Sequence, residues 1–172
     1  VRVPARNLLD KPDSLSFEEA ACLPTAYLTA YRMLAKRSNA QPGDTVLIQG
    51  AGGGVATAAI VLANALGLKV WATSRDARKR ETASALGAEQ VFESNAKLPG
   101  KVDTVIETVG AATWSHSLRA LRPGGTIVVS GATSGAMPPA DLNRVFFLQL
   151  SINGSTMGSR ADFVELLELL DR

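Results

Sequence analysis

Short apolar runs alternate along the chain with stretches that repeat at helical spacing. TVLIQ (45–49), KVWATS (69–74), EQVF (89–92), KVDTVIET (101–108), GGTIVVSG (124–131) and LSINGS (150–155) read as six short strands. Between the first two, Ala56, Ala59, Ile60, Ala63 and Leu66 recur at helical period and leave a small-residue face able to sit close on a sheet, until Gly67 stops the helix. RDARKRETASALGA (75–88), closed by Gly87, predicts the next helix, and TWSHSLRAL (113–121) and ADFVELLELL (161–170) predict two more. Upstream, Ser16 with Glu19 three residues on is a reciprocal capping pair, so a helix starts there, with an interruption expected near Pro24. QPGD (41–44) breaks the chain before the first strand.

Strands alternating with helices at this spacing imply an α/β fold: a parallel sheet covered on both faces, joined by right-handed crossovers. One link departs from the rule. ESNAKLPGK (93–101) is too short, and too broken by Pro99 and Gly100, for a crossover helix, so a loop is expected there.

The stretch from Thr45 to Gly67 contains no charge, and three readings compete for it. A membrane span is disfavoured because Gln49, Gly50 and Gly52 to Gly54 fall in its middle. A flexible joint is the bland reading. The third is a phosphate turn: a strand entering a helix through glycines leaves the first helical N–H groups free, with the positive end of the helix dipole behind them. Gly52, Gly53, Gly54 and Val55 are then the candidate pyrophosphate contacts, with Gly53 essential because a side chain there would collide with the diphosphate. A strict G-x-G-x-x-G is absent in this register, and S-adenosylmethionine is the minor alternative ligand.

Length and composition narrow the partners. The 172 residues, 46% hydrophobic, suit one domain with a sizeable core. A net charge of +2 from mixed basic and acidic residues shows no basic stripe, which argues against nucleic acid and anionic membranes. The single cysteine, Cys22, allows no internal disulfide and suits a reducing compartment, with the cytoplasm as default. No leader pattern opens the chain and it begins at Val1, so it reads as a fragment or processed piece.

LPTAYLTAYRML, PGDTVLIQGAGGGVATAAIVLANALG, LGAEQVF, VDTVIETVG and LRPGGTIVVSG, in this order, resemble the coenzyme-binding domain of the medium-chain dehydrogenase/reductase superfamily, which includes zinc alcohol dehydrogenases and quinone oxidoreductases. The resemblance implies a Rossmann-type, doubly wound, six-stranded parallel sheet in order 3-2-1-4-5-6. It divides the chain into residues 1–40, a lead-in segment and helix, and residues 41–172, the nucleotide-binding domain. It also implies hydride transfer to or from a quinone, enone, alcohol or carbonyl, and a separate β-rich catalytic domain that these residues do not contain. By resemblance Thr29 lies near the nicotinamide. Thr108 and Val109 follow the fourth strand toward the cofactor, Gly131, Ala132 and Thr133 occupy the loop after the fifth, and Thr156 and Met157 follow the sixth. Zinc members carry a cysteine four residues before the threonine that Thr29 matches, and Thr25 stands there, so no catalytic zinc is expected. The resemblance further implies a homodimer formed through the sixth strand.

The remaining chemical residues have plainer readings. Cys22 is expected to be a small buried hydrophobe, His116 a helix-surface residue, Glu107 an inward-held structural carboxylate, and Trp71 and Trp114 packing residues. Cofactor choice turns on the end of the second strand. An NAD site carries an acid about 20 residues beyond the glycine turn; here Ser74 stands 21 residues (74 − 53) after Gly53, followed by Arg75, with Arg78 and Lys79 one turn on. NADP is therefore favoured, since guanidinium and ammonium groups suit a 2′-phosphate. The competing non-enzymatic reading is a nucleotide-binding module that reports redox state to a partner.

Overall fold

Residues 2–170 are described by a computed structural model. Its sheet is parallel throughout, in order β3-β2-β1-β4-β5-β6: Thr45–Ile48 (β1), Lys69–Thr73 (β2), Gln90–Phe92 (β3), Val102–Glu107 (β4), Leu121–Val129 (β5) and Ser151–Gly154 (β6). Central strands are apolar on both faces because helices cover both: Val46, Leu47 and Ile48 of β1 have no exposed area. On one face, Gly54–Ala65 (α3) presses Ala56, Ala59, Ile60 and Ala63 toward the sheet, as the helical spacing predicted. These small side chains bring the helix axis close. Leu28–Tyr31 (α2) and Arg160–Leu170 (α7) complete that layer, the two tied by Tyr31 donating to Glu165 at 2.7 Å and by an Arg32–Asp162 ion pair. On the other face, Ala111–Ala120 (α5) sets Trp114 and Leu118 against Leu47, Trp71 and Val105.

The Ser16–Glu19 capping box forms, with Ser16 N donating to Glu19 at 2.8 Å, and opens Phe17–Cys22 (α1). The expected break at Pro24 does not end the helical path. The chain widens instead into π-type turns at Leu23–Tyr27 and Arg32–Arg37, on either side of α2. Pro24 sits at the start of the first wide turn, where a missing N–H is tolerated. Cys22 is exposed rather than buried, because α1 buries none of its residues.

Residues 93–101 form the loop the sequence predicted between β3 and β4, and Leu98 from that loop packs with Phe92 against the cluster containing Trp71. Ala77–Ala85 (α4) precedes β3. One α-helix among the described residues went unpredicted: Leu142–Phe147 (α6), capped by Asp141, whose Oδ1 accepts from Arg144 N at 3.4 Å. It buries none of its residues, so no apolar period marks it in the sequence. Among the described residues no helix is long and apolar enough to cross a membrane.

Candidate dinucleotide site

Gly50 and Gly52 turn the chain out of β1 with φ of 74° and 101°, a left-handed region that side chains disfavour. A Cβ at Gly50 would also fall 2.5 Å from Val109 Cγ2, and one at Gly52 2.5 Å from Lys79 Cδ. Gly53 differs: its φ is −86°, and a Cβ there would meet nothing nearer than Gly50 O at 4.0 Å. Neither backbone nor packing requires glycine at 53. The space it leaves open is the cleft itself, which is what close approach of a ligand needs. α3 begins next with no side-chain cap, so its first-turn amides and the positive end of its dipole follow directly on the glycine turn.

The cleft holds about 790 Å³ and is walled by Gly50 to Gly53, the end of β2, Lys79, Val109 and Thr133. Ser74 is buried, and its carbonyl accepts from Arg80 Nη1 at 2.7 Å, a contact the sequence did not announce. Arg75 and Lys79 are exposed on the wall, and the Lys79 stem lies across Gly52. Asp76 also borders the cleft, but its Oδ1 accepts from Arg78 N at 2.8 Å and Lys79 N at 3.3 Å. That carboxylate caps α4. Arg78, one of the expected cations, is not on the wall.

Beneath the cleft lies a buried polar network. Thr73 Oγ1 donates to Gln49 Oε1 at 2.6 Å, and Gln49 Nε2 donates to His116 Nδ1 at 2.9 Å and Ser117 Oγ at 3.0 Å. Ser117 Oγ donates to Glu107 Oε2 at 2.6 Å, while Glu107 Oε1 accepts from Val109 N at 2.8 Å, Gly110 N at 3.0 Å and Thr113 Oγ1 at 3.0 Å. The network thus joins the ends of β1, β2 and β4, the three strands that border the cleft. Glu107 has no exposed area and is the inward-held carboxylate expected. His116 is a correction: it is buried, not on the helix surface, and its Nε2 bonds Ala96 O at 2.8 Å. Burial depresses its pKa below the ordinary imidazole value, with Arg119 adding to the effect and the Ala96 bond and Glu107 opposing it. Gln49 was the available signal, a lone amide ending an apolar strand.

The other expected contacts divide. Val109 and Thr133 line the cleft; Gly131 and Ala132 line a neighbouring depression of about 650 Å³ with Arg32, Arg37 and Thr156. Thr108 lines neither, but its carbonyl accepts from Thr133 Oγ1 at 3.4 Å, and a Cβ on Gly131 would lie 2.8 Å from it. Gly54 and Val55 sit in the first turn of α3, set back from the wall. Thr29 is buried, touches Met157, Oγ1 to Sδ at 4.0 Å, and does not line the cleft. Among the described residues no three His, Cys, Asp or Glu side chains gather as a metal site, and Thr25 is exposed.

An open parallel sheet with a glycine turn and an uncapped helix at the carboxyl ends of its strands defines a nucleotide-binding Rossmann domain. The family described as zinc-binding dehydrogenase matches residues 54–172. The chain belongs to that family, within the medium-chain dehydrogenase/reductase superfamily. It is 31% identical to a zinc-type alcohol dehydrogenase-like protein, YogA, of Leptosphaeria maculans, over 92% of this chain and 48% of that protein. A crystal structure of an NAD-dependent alcohol dehydrogenase superposes with TM-score 0.90 at 36% identity, covering 98% of this chain and 52% of the other. The 2-octenoyl-CoA carboxylase reductase CinF, in complex with NADP and 2-octenoyl-CoA, superposes with TM-score 0.92 at 28% identity, covering 98% and 44%. The chain therefore spans about half the length of these three proteins.

Proposed function

We propose that this chain is the coenzyme domain of an NADP(H)-dependent, zinc-independent oxidoreductase whose substrate contacts come mainly from a further, β-rich domain. The observation that carries the cofactor choice is the end of β2: Ser74 stands where an NAD site holds its acid, Arg75 and Lys79 line the cleft, and Asp76 is engaged as the α4 cap. A guanidinium can grip a phosphate through two parallel donors, and the Lys79 ammonium adds charge. The glycine turn and the first amides of α3 would hold the pyrophosphate. When bound, the nicotinamide supplies the hydride chemistry toward a quinone, enone, alcohol or carbonyl. This chain's part is to bind and orient, with the buried network holding the three strand ends in place. Residues 1–40 lead in from the catalytic domain and 41–172 bind the cofactor. The exposed Cys22 thiol suits a reducing, cytoplasmic setting.

A second copy is proposed as partner. β6 ends the sheet with Ile152 42% exposed, and Phe147 of α6 is 75% exposed nearby in sequence, an apolar edge that pairing with its own copy would cover.

Calorimetric titration of NADP and NAD into the chain tests the cofactor reading. NADP should bind at least tenfold more tightly, as expected of a charge-assisted contact to phosphate of about 1.5 to 3 kcal/mol. Equal or tighter NAD binding would end it.

A further inference from the structure

The β3–β4 link lacks a crossover helix, and the loop 93–101 lies against α5, with Asn95 Nδ2 donating to Ala112 O at 3.2 Å and Ala96 O bonded to His116 Nε2 at 2.8 Å. Between that loop and α5 lies a second cleft of about 480 Å³, separate from the dinucleotide site. Its walls combine two chemistries. Leu98, Pro99 and Ala120 supply apolar surface, while Lys97, Lys101 and Arg119 supply charge, with no Asp or Glu on the lining. All three cations are exposed, and none is in an ion pair among the described residues. Lys101 donates to Arg119 O at 2.6 Å, which spends one of its three N–H groups and holds the ammonium at the end of α5. The His116 ring reaches this cleft as well, so it is the partition between the cleft and the Gln49 network.

We propose that this second cleft binds a small amphipathic anion: a carboxylate or phosphate head held by Lys97, Lys101 and Arg119, on a short alkyl or aryl body laid against Leu98 and Pro99. Three unpaired cations around a partly apolar hollow present a charge that a bound anion neutralises, and the volume lies within the about 300 to 1,000 Å³ of small-molecule pockets. The two halves of the lining require both parts of the ligand. Charge alone leaves the apolar wall wet, and an alkyl chain alone leaves the cations unanswered.

His116 is the only histidine in the chain, so its imidazole resonances report on this cleft without assignment ambiguity. We would follow them by NMR at neutral pH while titrating the 172-residue chain with octanoate, octyl phosphate, octanol and inorganic phosphate. Octanoate or octyl phosphate should shift the imidazole signals saturably, and whichever binds more tightly names the head group. Octanol and inorganic phosphate should bind at least fivefold more weakly. Lys97→Gln with Arg119→Gln, both surface changes, should weaken binding at least fivefold, whereas Arg2→Gln, at a residue that does not line the cleft, should not. No saturable shift with either amphiphile, equal binding of inorganic phosphate, or unchanged binding by the double variant would overturn the assignment.

Discussion

The side-chain amide of Gln49 donates to Nδ1 of His116 across 2.9 Å, tying the residue just before the glycine turn to the middle of α5. That bond needs an unprotonated Nδ1, and the bond from Nε2 to the Ala96 carbonyl places the ring proton on the other nitrogen. The cofactor cleft therefore rests on a neutral imidazole.

Stability should accordingly fall in mild acid. The folded pKa of His116 is depressed below the unfolded value of about 6.5. Above that value both states hold a neutral ring and the full stability is present. As pH falls below it, the unfolded chain takes up a proton that the folded chain resists, and stability declines toward the folded pKa. Urea denaturation at about pH 7.5 and pH 5.5, either side of the histidine range, should show the loss in wild type. His116→Gln should be less stable by about 1 to 3 kcal/mol, because a buried partner is removed, but should change little between those two pH values. Asp103 and Asp162, whose pKa values are lowered, act in a more acid window and leave this comparison clean. A wild type equally stable at both pH values would refute the reading.

Arg75→Ala should weaken NADP binding by about tenfold or more and leave NAD nearly unchanged, since the lost contact is to the 2′-phosphate alone. Calorimetry on both cofactors measures it. Equal loss for both would place Arg75 at the pyrophosphate instead.

Gly53 and Gly52 should respond differently to alanine. A Cβ at 53 meets no protein atom nearer than Gly50 O at 4.0 Å, so Gly53→Ala should cost no more than about 1 kcal/mol as a helix-cap change, yet abolish measurable NADP binding. Gly52→Ala should cost about 1 to 3 kcal/mol, because φ at 101° is strained for alanine and the Lys79 stem must move. Thermal melting and calorimetry on the two variants separate the effects.

The purified chain should be a homodimer by light scattering at high micromolar concentration. Ile152→Lys, which places charge on the open edge of β6, should shift it to monomer. A clean wild-type monomer would remove the proposed partner.

No turnover is expected from the isolated chain. Among the described residues no metal cluster forms, and the buried Glu107 carboxylate and His116 imidazole are engaged in the network under the cleft. Enzyme-proportional oxidation of NADPH with a quinone, enal or aldehyde would overturn this.

Much of this molecule is written in local pattern. Apolar runs and helical periods specified the six strands, the small-residue face of α3 and the glycine turn, because burial on both faces leaves no choice of residue in β1 and left-handed φ leaves little at Gly50 and Gly52. The helix-free link after β3 was legible too, since Pro99 and Gly100 break any period. What only the tertiary structure decided was which polar groups meet. Gln49 and His116 are 67 residues apart, and nothing local says that one will face the other in the interior. Asp76 directly follows Arg75 in the sequence, and only the backbone path shows its Oδ1 turned to the α4 amides. α6 stayed invisible because it buries nothing, and periodicity records burial rather than helicity. Residues that must avoid water, or must bend the chain, leave a local signature, whereas polar partners found across the sheet are chosen by the fold.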